Sequence, residues 1–487
     1  MALRPVNAPD LTRRRARVLP RVRVQPLPAP QGDPEDQDLR LQRSWLFILC
    51  LTLPLLAALY GFVSDGVRLP SPSPLLEEPS LRGTLYAADG TVLAEGTAET
   101  RSYPQGTLAA QLIGFSGAEQ PDHTYGLEGL ERKLDGALQA GRDVTLTIDP
   151  ALQGIVQTEL GRAAKLHGAK NGAMVMLEAG TGRVLASASY PTFDPNTQRT
   201  LVGDSRNVIG NSPMTAAVEP GSVMKPFVVA ALLQDHKLRA DEVLGVEMQR
   251  RVGSKTFTDV TAHEPALAIK DILRYSSNVG MIELGERFSS EELAAWYHRY
   301  GFGQSVGTRF VGNAPGIINP PESWVPQDHA SAVIGQSMAA TALQLAAAYS
   351  IFANDGRYIT PQVVESEVGA AVAKQILDPA VARTVRQMLT YTVENSGLKD
   401  AKTPGVKLAG KSGSADLFDL NKGEYIDAGT LSFAGIFPAE HPKVIGVIYL
   451  QRIKEAGALS VSVTAPAFRR IGSQTVALWD EAALGDR

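Results

Sequence analysis

Three short groups of residues in this 487-residue chain have the side chains and the order needed for acyl transfer through a serine. They are Ser222-Val223-Met224-Lys225, Ser276-Ser277-Asn278 and Lys411-Ser412-Gly413, the last followed by Ser414. A serine hydroxyl is a poor nucleophile at neutral pH and needs a base beside it. No histidine stands in these groups, so a lysine must serve, and it must be held neutral to do so. Burial and a second cation nearby both lower a lysine pKa. Lys225, three positions after Ser222 and on the same helical face, is placed to be that base. Lys411 is the second cation, and Ser276 stands between the lysines as a proton relay. Asn278 offers an amide to a substrate backbone. The Lys411 charge and the Ser412 hydroxyl would meet a substrate carboxylate, and Gly413 leaves room for a substrate strand to pair along that edge. The backbone N–H groups of Ser222 and Ser414 would receive an oxyanion.

None of these groups is specific alone. A second S-x-x-K occurs at Ser396 to Lys399, and a second S-x-N at Ser205 to Asn207. Read separately, Ser222 could be a plain helix cap, Ser276 to Asn278 an N-cap turn, and Lys411 to Gly413 a β-turn. Context separates them. Ser222 follows Pro220-Gly221 and precedes the apolar run Phe227 to Leu233, which places it at the N-terminus of a buried helix. That end supplies free N–H groups and a positive dipole. Ser396 stands beside Gly397 at the close of a helix, with no apolar helix after it. The three groups also fall in order, 54 and 135 residues apart, inside one domain.

The elements that must position these residues are legible from turn and period signals. Arg82 to Tyr86, the turn Asp89-Gly90 and Thr91 to Leu93 form a hairpin pattern. Val144 to Ile148 alternates as a strand, and Asp149-Pro150 then opens a helix. Gly172 to Leu177 and Val184 to Ser189 flank a turn at Gly180-Thr181-Gly182. Ser289 to Glu292 is a capping box, and Gly301 closes the helix it opens. Further helices are expected at Ala340 to Asn354 and Pro379 to Asn395, and a last one from about Ala465 to Leu484. Strands return at Gly405 to Ala409, Thr430 to Phe437 and Lys443 to Leu450. Strands, then helices, then strands predict an α+β domain with one sheet built from both ends of the domain and flanked by helices.

Composition bounds the class. Apolar residues make up 44% and charged residues 20%, as in an ordinary globular protein. A formal net charge of −4 argues against a nucleic-acid binder. One cysteine, Cys50, allows no internal disulfide and no cysteine zinc site, and the seven histidines show no metal-ligand spacing. No metal and no cofactor is therefore expected. Ser44 to Val63 is an uncharged, mostly apolar run of 20 residues, enough to span a bilayer. Nine arginines precede it and basic residues are sparse after it, which puts the N-terminus in the cytoplasm and the rest outside. The expected layout is a disordered cytoplasmic tail at 1–43, a transmembrane helix at 44–63, a linker with a short pedestal at 64–140 and a catalytic domain at 141–487.

Together these residues resemble the class B penicillin-binding proteins, from residue 44 onward. Supporting segments are Arg82-Gly83 with Asp89-Gly90, Tyr125 to Glu131, Thr145 to Asp149, Gly335-Gln336, Thr341 to Gln344 and Ala465 to Phe468. The resemblance implies a transpeptidase domain like that of serine β-lactamases, with a central antiparallel sheet flanked by helices. It implies D,D-transpeptidase activity on D-Ala-D-Ala peptidoglycan stem peptides, an amine acceptor, and acylation of Ser222 by β-lactams. It also implies a SEDS-family glycan polymerase and other division or elongation membrane proteins as partners. The third group is Lys-Ser-Gly where Lys-Thr-Gly is commoner; a serine hydroxyl does the same work. Ala87 and Ala88 replace a charged pair often found before Asp89-Gly90. The stretch between membrane and catalytic domain, about 75 residues, is too short for a glycosyltransferase domain and resembles the small-pedestal members. Competing expectations are a D,D-carboxypeptidase or β-lactamase on the same fold, and a non-catalytic β-lactam sensor or division scaffold.

Overall fold

The computed structural model describes Thr52 and residues 81–485, except 98–99, 118–125, 198–209, 211, 308–312, 370–372, 420–423 and 454–457. The expected tail and membrane span lie outside the described residues apart from Thr52, as does Ser205 to Asn207. Among the described residues no helix is long and apolar enough to cross a membrane. The chain divides into Met1–Glu78 and Pro79–Arg487, and all elements below belong to the second unit.

Its first part is small. Leu85–Tyr86 (β1) pairs antiparallel with Val92–Ala94 (β2). The turn between them forms as expected: Asp89 Oδ1 accepts the Thr91 N–H at 2.9 Å, and Gly90 takes φ +87°. Val144–Thr145 (β3) runs parallel to β1. It stops short of the expected Ile148, because from Leu146 the chain exchanges bonds with Val363 and Val364. Pro150–Leu166 (α1) then begins where the sequence places it, with Asp149 Oδ1 accepting the Ala151 and Leu152 N–H groups.

The main sheet is five-stranded and antiparallel. Its strands are Asn171–Glu178 (β4), Val184–Tyr190 (β5), Ala409–Asp419 (β6), Glu424–Phe437 (β7) and Val444–Gln451 (β8). They lie in the order β6-β7-β8-β4-β5, so both ends of the domain do build one sheet. The expected strand Gly405 to Ala409 is a correction: Gly405 sits at φ +83°, which no strand continues, and the strand starts at Ala409. Alternate residues of β4 serve two cores. Ala173, Val175 and Leu177 face one, and Met174 and Met176 the other.

Helices fill both faces. The side of Met174 packs α1 and Thr464–Gly485 (α7), with Phe433, Phe437 and Phe468 in contact. The other side packs Lys225–Gln234 (α2), Ile269–Tyr275 (α3), Asn278–Gly285 (α4) and Ala342–Ala353 (α5). Pro379–Asn395 (α6) spans the bounds the sequence sets. The wholly buried α5 is opened by a capping box in which Thr341 Oγ1 accepts the Gln344 N–H and Gln344 Oε1 the Thr341 N–H. The box expected at Ser289 also forms.

Candidate active site

The site is a meeting of three elements from the middle and the edge of this domain. The first is a short 3₁₀ turn, Gly221–Met224, that runs directly into α2. Ser222 is half-buried on this turn, and Lys225 is the first residue of the helix. The turn is fixed from three sides. The Gly221 N–H donates to Gly335 O at 2.9 Å, and the Tyr349 hydroxyl donates to Val223 O at 2.8 Å. Ser432 Oγ donates to Pro220 O at 3.0 Å. Gly221 takes φ +64°, and a Cβ there would lie 2.6 Å from Ser414 O. The backbone before Ser222 thus abuts the backbone of Ser414, and only glycine fits.

The second element is the junction of α3 and α4. Ser276 caps α3 in the left-handed conformation, φ 56°, which costs a non-glycine residue roughly 1–2 kcal/mol. Strain of this kind persists where neighbours over-determine it. Here the neighbours are two lysines. Lys225 Nζ donates to Ser276 O at 2.6 Å, to Ser276 Oγ at 3.3 Å and to Asn278 Oδ1 at 2.8 Å. Lys411 Nζ donates to the same Ser276 Oγ at 2.9 Å and to Ser412 O at 3.0 Å. One hydroxyl therefore joins the two lysines, as the sequence predicts. Among the described residues no hydrogen bond joins Lys225 to Ser222 Oγ, although the sequence places them within reach. Lys225 Nζ is instead directed at the α3–α4 junction, and such contacts often tighten only with substrate bound.

Both lysines are buried, Lys225 completely and Lys411 to 1% exposure. Burial and then the Lys411 cation hold Lys225 well below the ordinary lysine value, while the Asp259 carboxylate opposes them. Burial alone pushes Lys411 down to about 7. Ser222, Ser276, Asn278 and Ser412 stay half-buried. The cations are thus desolvated while the hydroxyls remain accessible.

The third element is β6, at the edge of the sheet and carrying Lys411 to Ser414. Gly413 is where the nucleophile turn packs against this edge. A Cβ there would lie 2.5 Å from Pro220 O and 3.2 Å from Val223 Cγ1. Its missing side chain lets the nucleophile turn approach β6. Ser460, ahead of α7, locks this edge by donating to Gly413 O, and its hydroxyl lies 3.0 Å from Ser414 Oγ.

Sequence reasoning missed Ser460, Asp259 and His263. Asp259 is buried at the end of the hairpin Gln249–Val252/Lys255–Thr258. Its Oδ1 accepts the Asn278 N–H at 2.5 Å and the Val279 N–H at 3.0 Å, and its Oδ2 accepts the Ser277 hydroxyl at 2.5 Å. Asn278 Nδ2 donates to Thr258 O at 3.0 Å. The amide expected to hold substrate is therefore partly used to hold Lys225 and the hairpin. Asp259 belongs to no motif, and nothing in its neighbours' spacing marks it. The rejected Ser396 is the C-cap of α6, where its Oγ accepts the Leu398 N–H at 3.1 Å.

Such an arrangement can deprotonate a serine hydroxyl, stabilise an oxyanion between two backbone segments, and carry a proton between two amines. Residues 172–472 match the family described as the penicillin binding protein transpeptidase domain. The chain is 31% identical over 398 residues to the probable peptidoglycan D,D-transpeptidase PenA of Neisseria gonorrhoeae, covering 76% of this chain and 67% of that one. It is 28% identical over 398 residues to the peptidoglycan D,D-transpeptidase FtsI of Escherichia coli, covering 76% and 66%. Among solved structures it resembles penicillin-binding protein 3 from Mycobacterium tuberculosis in complex with aztreonam. That likeness has a TM-score of 0.73 and 29% identity over 82% of this chain and 97% of that one.

Proposed function

The chain belongs to the class B penicillin-binding protein transpeptidases, and on that premise we propose that it is a peptidoglycan D,D-transpeptidase with Ser222 as its nucleophile. The observation that carries this reading is the single Ser276 hydroxyl held by two buried lysines beside the Ser222 turn. Lys225 takes the Ser222 proton as Oγ attacks the carbonyl carbon of the penultimate D-alanine. The Ser222 and Ser414 N–H groups receive the oxyanion, which is supported by the close approach of Gly221 to Ser414. The proton then passes through Ser276 to the departing nitrogen, and the terminal D-alanine leaves. An amine from a neighbouring stem attacks the ester, its proton returns to Ser222 Oγ, and a peptide bond replaces the acyl-enzyme. Lys411 and Ser412 hold the donor carboxylate, and Asn278 holds Lys225 and the donor backbone. β-Lactams acylate Ser222 by the same route and stop there.

Transfer is favoured over hydrolysis by the state of Asp259. A deacylating base needs a free carboxylate, whereas both Asp259 oxygens are occupied by donors from Ser277, Asn278 and Val279. The apolar run Ser44 to Val63 and the arginines before it support a single-pass anchor, with a cytoplasmic tail and the catalytic domain outside the cell membrane. The layout of tail, span, pedestal at 64–140 and catalytic domain at 141–487 follows from it. A SEDS-family polymerase is the membrane partner that the resemblance to this class implies. The test is incubation of the full chain with a stem pentapeptide and an amine acceptor. Cross-linked product and free D-alanine in equal amounts are expected. D-alanine release with only a shortened, uncross-linked stem would make the protein a carboxypeptidase.

A further inference from the structure

His263 stands behind the catalytic groups and touches none of them. Its side chain is 1% exposed. Its Nε2 lies 2.9 Å from Asp259 Oδ2 and its Nδ1 lies 2.7 Å from the backbone oxygen of Glu264. A carboxylate and a carbonyl oxygen are both acceptors, so satisfying both requires a proton on each ring nitrogen. The ring geometry is that of an imidazolium. The same Asp259 carboxylate anchors Ser277 and the first N–H groups of α4, one residue from Ser276, and Asn278 passes on to Lys225.

This creates an electrostatic problem that the histidine solves. A lone buried carboxylate at the foot of Asn278 draws Lys225 toward its ammonium form. An ammonium has no lone pair with which to take the Ser222 proton. We propose that His263 is a positioning residue that acts through Asp259: as an imidazolium it neutralises the carboxylate and keeps Lys225 available as the base. The inference rests on the reading of Lys225 as the base in Ser222 acylation.

The groups around this histidine are consistent with a cation there. Asp259 faces it from the hairpin and the Glu264 backbone from the following loop. The Tyr275 ring, from α3, lies 5.8 Å from its ring. The Glu264 carboxylate accepts the Tyr275 hydroxyl at 2.9 Å, and the Arg274 guanidinium stacks on Tyr275 at 3.9 Å. Burial works against a charged ring, but the hydrogen bonds to Glu264 O and Asp259 outweigh it, and the His263 pKa is raised. The charged groups that act on Lys225 are Lys411, which lowers its pKa, and Asp259, which raises it.

The test is the pH profile of acylation of the full, detergent-solubilised chain by a fluorescent penicillin. Unsubstituted protein, His263→Gln and His263→Arg are compared. His263→Gln is expected to move the acid limb to higher pH, slowing acylation about three- to tenfold on that limb and leaving the alkaline plateau in place. His263→Arg, which keeps the cation, is expected to restore the limb. A uniform loss at all pH values, or an unmoved limb in His263→Gln, overturns the proposal. Histidine-selective ¹⁵N NMR of the unsubstituted chain decides the charge state whether or not the Gln variant folds. Two protonated ring nitrogens at pH 7 are expected for the signal missing in His263→Arg, and a neutral ring overturns the proposal. Failure of the unsubstituted chain to label at Ser222 counts instead against the transpeptidase reading.

Discussion

Lys225 and Lys411 share one hydroxyl, and two ammonium groups there would leave Ser276 Oγ only an acceptor. With one lysine neutral, the Ser276 O–H can donate to its lone pair and pass a proton on. Replacing Lys225 by Ala is therefore expected to slow Ser222 acylation by about 10²–10⁴-fold, the usual worth of a general base, in a stopped-flow penicillin assay. Acylation is expected to fall as pH drops through the depressed Lys225 pKa, because protonation removes the base. Lys411→Met deletes one of the two causes of that depression and leaves burial. The acid limb is then expected to move to higher pH, on top of weaker substrate binding. A limb moving to lower pH would contradict this account of the base. At this scale the sequence shows every group carried by a motif, since serine, lysine and their order are chemistry in themselves. Asp259, His263 and Ser460 were hidden because their roles exist only through contacts made in the folded chain, 19, 4 and 47 residues away.

Elements are held against the site by close backbone approach. The 3₁₀ turn of Ser222 rests on β6 at Gly413 and on the Ser414 carbonyl at Gly221. A methyl group at residue 413 must push Pro220 and Val223 away, because its place is already within 2.5 Å of Pro220 O. Gly413→Ala is expected to slow acylation at least tenfold while unfolding remains cooperative, since strand β6 keeps its ladder to β7. Acylation at the unsubstituted rate would contradict the packing described. Caps and turns were legible here because they depend on local chemistry: Asp149 before Pro150, Ser289 before Glu292 and Asp89 before Gly90 each act within three residues. The start of β6 was misread because Gly405 to Leu408 has a strand-like composition, while the φ of Gly405 is set by the turn it makes. The contact of Gly413 with the nucleophile turn was not legible either. The sequence shows that space is needed, but not which neighbour fills it.

The first part of the molecule is knit together internally by a buried ionic cluster as well as by the pairing of β1 with β2. Glu131 is fully buried and accepts Arg82 at 2.8 Å and Arg101 at 2.6 Å, and Arg82 also pairs with Asp135 at 2.7 Å. Removing Glu131 takes the shared carboxylate from between two buried guanidinium groups, so Glu131→Ala is expected to cost about 3–5 kcal/mol in denaturant unfolding. An unchanged midpoint would show that the cluster is not desolvated as described. The sheet built from both ends of the domain was legible as a pattern of strands, helices and strands. The order of its strands was not, because β8 meets β4 across more than 250 residues, and both are continuous apolar runs that carry no register signal. All these scales converge on one covalent event. Intact-mass measurement of the full chain after incubation with a β-lactam tests it most directly. One stable adduct per chain, mapped to Ser222 and absent in Ser222→Ala, is the expected result. No adduct, or one that persists in Ser222→Ala, would contradict the account.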